Sequence, residues 1–256
     1  MLADSTQRFS DRVEAYLAGR PRYPAELASH LEAMGALPHV GIVADIGVGT
    51  GLSAECFLAA GHRVIGFEPN APMRAAGVEY LARFPAYEAR DGTAEATGLA
   101  PGSVDMVIAG QAFHWFEPAR FRAESLRILR PGGWGALIWN DRDLAGTPFL
   151  AGYEALMLEY GNEYQTIRYR HLGTDAIAVY FGGRAPAPAE FPHQREMDWS
   201  ALTALSGSAS YLPAPGQARH VELMVALRAL FDATAAGGSV EMRYTCRVHA
   251  APLSLS

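Results

Sequence analysis

The chain has 256 residues, half of them hydrophobic and 19% charged, which supports a sizeable buried core and excludes a disordered tail. Its 27 acids outnumber 21 bases for a formal charge of -6, and no basic stripe suited to nucleic-acid phosphates is visible. All 21 bases are arginine, which excludes a Schiff-base lysine and the lysine of a phosphate-binding P-loop.

The first 140 residues alternate apolar bursts with amphipathic stretches, the pattern of a parallel sheet covered by helices. Residues 1–10 carry Asp4 and Arg8 where a signal peptide needs an apolar stretch. A helix is predicted over 25–34, a strand over 41–46, a helix over 52–60, a strand over 62–67 and a helix over 71–84. A short strand at 87–89 and a clear one at 104–109 follow, then a helix over 118–129. Pro131-Gly132-Gly133 is expected to stop that helix before a strand over 134–140. Beyond Asp141 the rhythm changes. A helix over 149–160 gives way to a mixed, Pro- and Gly-rich region over 161–191, with helical spacing again at 217–235 and a strand at 239–249. The uncharged run 199–218 is broken by Gly, Ser and Pro and does not read as membrane-spanning. Cys56 and Cys246 lack metal-ligand spacing, so no metal or disulfide framework is expected. The reading is one cytoplasmic α/β domain over 1–256, with a core from 25–143 and 192–256 and a lid from 1–24 and 144–191. The two ends of the chain are expected to close the sheet.

The sharpest local signal is Asp45-Ile46-Gly47-Val48-Gly49-Thr50-Gly51, placed where a strand ends and a helix begins. Glycines there let the backbone approach a ligand, and the helix start supplies amide donors. A tight strand-to-helix bend needs glycines for structural reasons as well. The spacing separates ligand classes. A dinucleotide fingerprint has glycine at its sixth position, where this chain has Leu52, which disfavours nicotinamide chemistry. Asp45 before the loop would repel a pyrophosphate and suits an amino group or another cation. Glu68 closes the second strand, 21 residues after Gly47, where a carboxylate accepts bonds from both ribose hydroxyls. The plainer alternative makes Asp45 a strand-end cap and Glu68 a surface acid.

These residues resemble the nucleoside-binding motif of the class I methyltransferases, which use S-adenosylmethionine and release S-adenosylhomocysteine. Phe9-Ser10, Tyr16 and Arg20-Pro21-Arg22-Tyr23-Pro24 look like the opening of the small-molecule branch similar to trans-aconitate methyltransferase. Gly110-Gln111-Ala112-Phe113-His114-Trp115-Phe116 is similar to that branch after its fourth strand. Leu129-Arg130-Pro131-Gly132-Gly133 and Trp139-Asn140-Asp141-Arg142-Asp143 are similar to the entry and exit of its fifth. The likeness runs over about 9–248. It implies a Rossmann-like α/β fold: a seven-stranded sheet of order 3-2-1-4-5-7-6, the last-entered strand antiparallel, with a helical lid. It implies S-adenosylmethionine held with Glu68 at the ribose, and with Gly47, Gly49, Gly51 and Gln111 at the methionine portion. Asp45, Pro69 and Tyr23 complete that set. Many relatives place an acid near the adenine where this chain has Thr93, so that contact falls to Thr93 or the backbone around Ala94.

The implied reaction is methyl transfer to O or N of a small-molecule acceptor, a metabolite or natural-product intermediate. The same motifs also suit a protein that binds the cofactor without transferring methyl, in a rearrangement or regulatory role. His114 either takes a proton from the acceptor or walls the pocket. Tyr16, Arg20, Trp115 and Tyr153 are the other acceptor candidates, each with ordinary packing or a solvated surface as the alternative. Arg22, Arg142, Arg168 and Arg170 carry the same choice between a carboxylate clamp and solvated charge. Tyr160, Tyr164, Tyr169, Tyr180 and Phe181 crowd the lid region. An aromatic, largely uncharged pocket favours a planar or apolar metabolite, whereas Arg20 or Arg168 turned inward favours a carboxylate; the former is expected, because an unpaired buried arginine is costly. Neither nucleic acid nor membrane is an expected partner, and the chain is expected as a monomer or weak homodimer.

Overall fold

The computed structural model describes residues 13–162, 164 and 173–254. Phe9, Ser10, Arg168, Tyr169 and Arg170 lie outside the described residues. Helices α1 (Val13–Gly19) and α2 (Glu26–Ala33) precede an alternation of β1 (Ile42–Ile46), α3 (Leu52–Ala59), β2 (Arg63–Phe67), α4 (Ala71–Tyr80) and β3 (Tyr87–Arg90). Then come β4 (Val104–Gly110), α5 (Pro118–Ile128) and β5 (Leu129–Arg142). The remainder is α6 (Pro148–Tyr160), α7 (Thr174–Tyr180), β6 (Ala187–Met197), α8 (Trp199–Ser208), α9 (His220–Thr234) and β7 (Val240–Pro252).

The strands form one sheet of order β3-β2-β1-β4-β5-β7-β6. The first five pair in parallel, and β7 runs antiparallel to both β5 and β6. This is the order and direction that the resemblance implies. The central strands read as apolar runs because helices cover both faces. Val43, Ala44, Val64, Phe67, Val107 and Ile108 are all fully buried. Polar caps start the helices around them. Asn70 accepts from the Met73 amide, Glu117 from Ala119 and Arg120, Thr147 from Leu150, and Asp198 from Ala201. Among the described residues no helix is long and apolar enough to cross a membrane.

Three local expectations change, and one segment that the sequence left unassigned is a helix. Pro131-Gly132-Gly133 lies inside β5 and not before it. Leu129 already pairs with Val104, pairing resumes at Trp134 opposite Met106, and Gly132 at φ +80° lets the bulged residues turn out. The region read as irregular contains β6, whose Pro188 and Pro192 argue against a central strand. At the sheet edge β6 pairs only with β7, so it needs donors on one side alone. Part of the uncharged run is α8, started by its Asp198 cap despite its Ser and Gly content. Finally, among the described residues only the C-terminal end closes the sheet. The described N-terminal residues add no strand, and Gly19 at the end of α1 lies directly on the α8 backbone at Ala204 and Leu205.

Three apolar clusters follow from this layout. One joins α2 and α3 to a sheet face through Leu27, Leu31, Phe57 and Ile138. A second, on the other face, joins α5 and α7 through Phe121, Ile128 and Tyr180. The third gathers α6, α8, α9 and the start of β7 around Tyr153, Leu202, Leu227 and Met242.

Candidate active site

A cavity of about 700 Å³ opens over the carboxyl ends of β1, β2, β4 and β5. Ligands of open parallel sheets sit at that end, and the volume suits a small-molecule site. The glycine turn forms one wall. Gly47 (φ +69°) and Gly49 (φ +57°) line it in left-handed conformations that favour glycine. A side chain at Gly47 would meet Ala112 Cβ at 2.5 Å, so the turn can lie flat against the segment after β4. Gly51 serves packing instead: it stands at the start of α3, where a Cβ would meet Leu81 Cδ1 at 2.5 Å.

Asp45 does not line the cavity; it is fully buried behind the turn. Its Oδ2 accepts from Ser53 Oγ at 2.5 Å, and Ser53 itself lines the cavity. No donor among the described residues reaches Oδ1. Burial pushes the Asp45 pKa up to about 7; the Ser53 bond opposes this and the nearby Glu68 adds to it. Glu68 stands at the cavity edge after β2. Its Oε2 accepts from the Gly49 amide at 3.0 Å and its Oε1 from the Asn70 amide at 2.9 Å. The carboxylate therefore ties the glycine turn to the end of β2. Burial raises its pKa, against those two amides and Arg74. Pro69, Thr93 and Ala94 continue the same wall. Thr93 and Ala96 exchange backbone hydrogen bonds of 3.3 and 3.2 Å, closing the small loop after β3.

Across the cavity, Gln111 has φ +60°, a strained value for a residue with a side chain. Its amide donates to Ile138 O and its Nε2 to Asn140 O, each at 2.9 Å. These bonds hold the sharp bend that leads into a short helical turn, Phe113–Trp115. Phe113 packs into the second cluster, while His114 and Trp115 line the cavity with ring centres 4.7 Å apart. Tyr16, Arg20 and Tyr23 bring the N-terminal segment to the cavity, and Tyr153 arrives from α6. Tyr153 Oη lies 3.2 Å from Ser206 Oγ, and burial lifts its pKa to about 12. Burial likewise raises the Tyr23 phenol. Arg22 points elsewhere, to Glu55 at 2.5 Å on the surface, and Arg142 is paired with Glu154 at 2.5 Å.

The structure therefore gathers His114, Gly47, Gly49, Glu68, Pro69, Thr93, Ala94, Gln111, Tyr16, Arg20, Tyr23, Trp115 and Tyr153 on one cavity, with Asp45 and Gly51 behind the wall. Two residues escape the sequence reading. Ser53 has a local signal, a hydroxyl in the first helical turn after the glycines. Tyr244 has none, since it is one aromatic in an alternating strand and reaches the cavity only through the β5–β7 pairing.

Residues 44–137 match the methyltransferase domain family. An uncharacterized methyltransferase of Mycobacterium tuberculosis is 39% identical over 141 residues, 55% of each chain. An uncharacterized methyltransferase of Schizosaccharomyces pombe is 31% identical over 137 residues, 53% of each chain. The chain spans about half the length of the curated relatives it matches. Among solved structures, a candidate type II methyltransferase of Anaeromyxobacter dehalogenans superposes with TM-score 0.65 at 24% identity, covering 93% of this chain and 99% of that one. A candidate methyltransferase from an antibiotic biosynthesis pathway of Anabaena variabilis gives 0.58 at 22% identity, covering 86% and 96%. The match to the methyltransferase domain family covers residues 44–137, in a chain that has the class I methyltransferase fold.

Proposed function

We propose that this chain transfers the methyl group of S-adenosylmethionine to an oxygen or nitrogen of a small-molecule acceptor and releases S-adenosylhomocysteine. The observation that carries the reading is Asp45, a buried acid one donor short, set behind a left-handed glycine turn and beside Glu68. A buried carboxylate in that condition favours a cation brought by a ligand. The cofactor's ammonium and sulfonium groups meet that need. Ser53 donates to Asp45 and lines the cavity, so it carries the acid's influence to the cavity wall.

When bound, the cofactor supplies an electrophilic methyl carbon on a positively charged sulfur. Glu68 and Pro69 hold the ribose in this reading, Thr93 and Ala94 the adenine, and Gly47, Gly49, Gln111 and Tyr23 the amino-acid portion. Tyr16, Trp115 and Tyr153 wall the acceptor, and their ring faces favour a nearby cation. His114 lines the acceptor side and takes the proton of a hydroxyl or amine nucleophile, or else only walls the pocket. The chain's main contribution is alignment and exclusion of water. Residues 1–24 and 144–191 act as the lid over a core of 25–143 and 192–256, a division supported by Tyr153 of α6 and Tyr164, which line the cavity. In this reading the enzyme is cytoplasmic and works on a diffusible acceptor, as a monomer or weak homodimer.

Titration calorimetry tests the reading. S-adenosylhomocysteine is expected to bind, and NAD to bind more weakly or not at all. Glu68→Ala removes charge-assisted bonds worth about 1.5–3 kcal/mol each and is expected to weaken binding tenfold or more. Tighter binding of NAD, or unchanged affinity in the variant, would falsify the assignment. Binding without turnover of S-adenosylmethionine over a broad acceptor panel assigns the chain instead a rearrangement or regulatory role.

A further inference from the structure

Among the described residues three arginines line the cavity, and their charges are handled differently. Arg142 meets Glu154 at 2.5 Å, and Arg247 meets Asp141 at 2.8 Å and Glu190 at 2.9 Å. Arg20 has no carboxylate partner among the described residues. Its Nε donates to Ser208 Oγ at 3.0 Å, its Nη2 to Ser208 O at 3.3 Å, and its Cζ lies 5.1 Å from the centre of the Tyr16 ring. Nor is the guanidinium loosely placed. Gly19 before it rests on the α8 backbone, and Arg195 of β6 donates to the carbonyls of Ala18, Gly19 and Arg20.

Tyr244 is close enough to Arg20 to interact with it electrostatically. It is 4% exposed, lines the cavity, and its hydroxyl has no hydrogen-bond partner among the described residues. A half-buried cation without a counter-charge and a buried hydroxyl without a hydrogen-bond partner are both costly. One anion placed between them relieves both costs. A single unpaired positive charge among aromatic walls matches one carboxylate better than a doubly charged phosphate.

Two carboxylates could fill this role, the cofactor's own and one on the acceptor. Position favours the acceptor. Tyr244 pairs with Arg142 at the end of β5, so Arg20 stands over β5 and β7, whereas the glycine turn and Glu68 end β1 and β2 on the far side of β4. We propose that Arg20, assisted by Tyr244, selects an acceptor that carries a single carboxylate on an apolar, aromatic body. The carboxylate is the anchor, and the methyl group goes to another oxygen or nitrogen of the acceptor. This rests on the methyl-transfer reading and narrows it.

The test titrates 4-hydroxybenzoate, 4-aminobenzoate and phenylacetate, each beside its amide, into wild type, Arg20→Gln and Tyr244→Phe. Each titration is run with and without saturating S-adenosylhomocysteine. At least one acid is expected to bind about tenfold or more tightly than its amide in the wild type, a preference abolished in Arg20→Gln and reduced in Tyr244→Phe. Equal binding of acid and amide, no binding of any acid, or a preference that survives Arg20→Gln overturns the proposal. A second arm compares S-adenosylhomocysteine with 5′-methylthioadenosine, which lacks the amino-acid portion. If Arg20→Gln weakens only the former by about tenfold, Arg20 serves the cofactor's carboxylate and the proposal fails. Failure of the methyl-transfer reading looks different: S-adenosylhomocysteine then does not bind the wild type, while the acid titrations on the protein alone still report on Arg20.

Discussion

At the scale of single residues, Asp45 makes a trade between stability and binding. An unfolded carboxyl titrates near 3.8, and burial lifts Asp45 to about 7. Between those values the folded chain keeps a proton that the unfolded chain has released, so stability falls as pH rises through this window. A cation bound nearby reverses the preference and favours the carboxylate. Affinity for S-adenosylhomocysteine is therefore expected to be level above about pH 8 and to fall by up to tenfold per unit well below pH 7. Asp45→Asn is expected to flatten that profile and weaken binding, yet to raise the melting midpoint of the protein alone at pH 8. Calorimetry and melting curves from pH 5.5 to 8.5 check both halves. A variant with the wild-type binding profile would remove Asp45 from the site.

Among the elements, α5 fastens the loop that continues the cavity wall after β3. Glu124 Oε1 accepts from the Thr97 amide at 2.8 Å and from Thr97 Oγ1 at 2.5 Å. Arg127, one turn on, donates to both Glu124 oxygens at 2.7 Å and to Leu99 O at 2.7 Å. Burial opposes charge on Glu124, but the Arg127 and Thr97 donors outweigh it and hold its pKa down at about 2. The Glu124 side chain is only 8% exposed but Arg127 is 39% exposed, so solvent screens the pair in part. The stabilisation is present above the ordinary value of 4.5 and is lost as pH falls from there through about 2. Glu124→Gln is expected to cost about 1.5 kcal/mol near pH 7, roughly 3–6 °C of melting midpoint, and progressively less toward pH 2. Melting curves at pH 7 and pH 3 decide it: an equal loss at both would mean that packing, not charge, carries the contribution.

For the whole molecule, the cavity lies where two bodies of core meet. The sheet and its flanking helices form one, and α6, α8 and α9 with the start of β7 form the other. β7 bridges them on one face, with Met242 and Tyr244 in the third cluster and Cys246, Val248 and Ala250 in the first. Tyr153 and Tyr244 reach the cavity from the third cluster, and Val48 and Leu52 from the sheet side. Segments with a separate apolar cluster open as units of their own. Amides of α6, α8 and α9 are expected to exchange together and earlier than those of β1 and β4. S-adenosylhomocysteine is expected to slow exchange chiefly around 47–51, 68–70 and 110–116. Hydrogen exchange followed by mass spectrometry reads this directly. Indistinguishable opening of α6 and β1 would mean one cooperative unit and would weaken the proposed lid.

What the sequence by itself determined was local in its physics. The buried runs of β1, β2 and β4 and the helical spacing of α4, α5 and α6 are patterns within a few residues, and they place the elements closely. The glycine turn was legible for the same reason, because a left-handed backbone at Gly47, Gly49 and Gly51 favours one residue type. Tertiary structure decided what local pattern cannot carry. β6 is a strand despite two prolines because it lies at an edge, and its place there is set by pairing with β7. Arg20 is an acceptor candidate in the sequence, but its want of a carboxylate partner emerges only when Ser208, Arg195 and Tyr244, all more than 170 positions away, close around it. Whether a charge is solvated, paired or held in reserve depends on which distant groups exclude water from it, and that is settled only when the chain is packed.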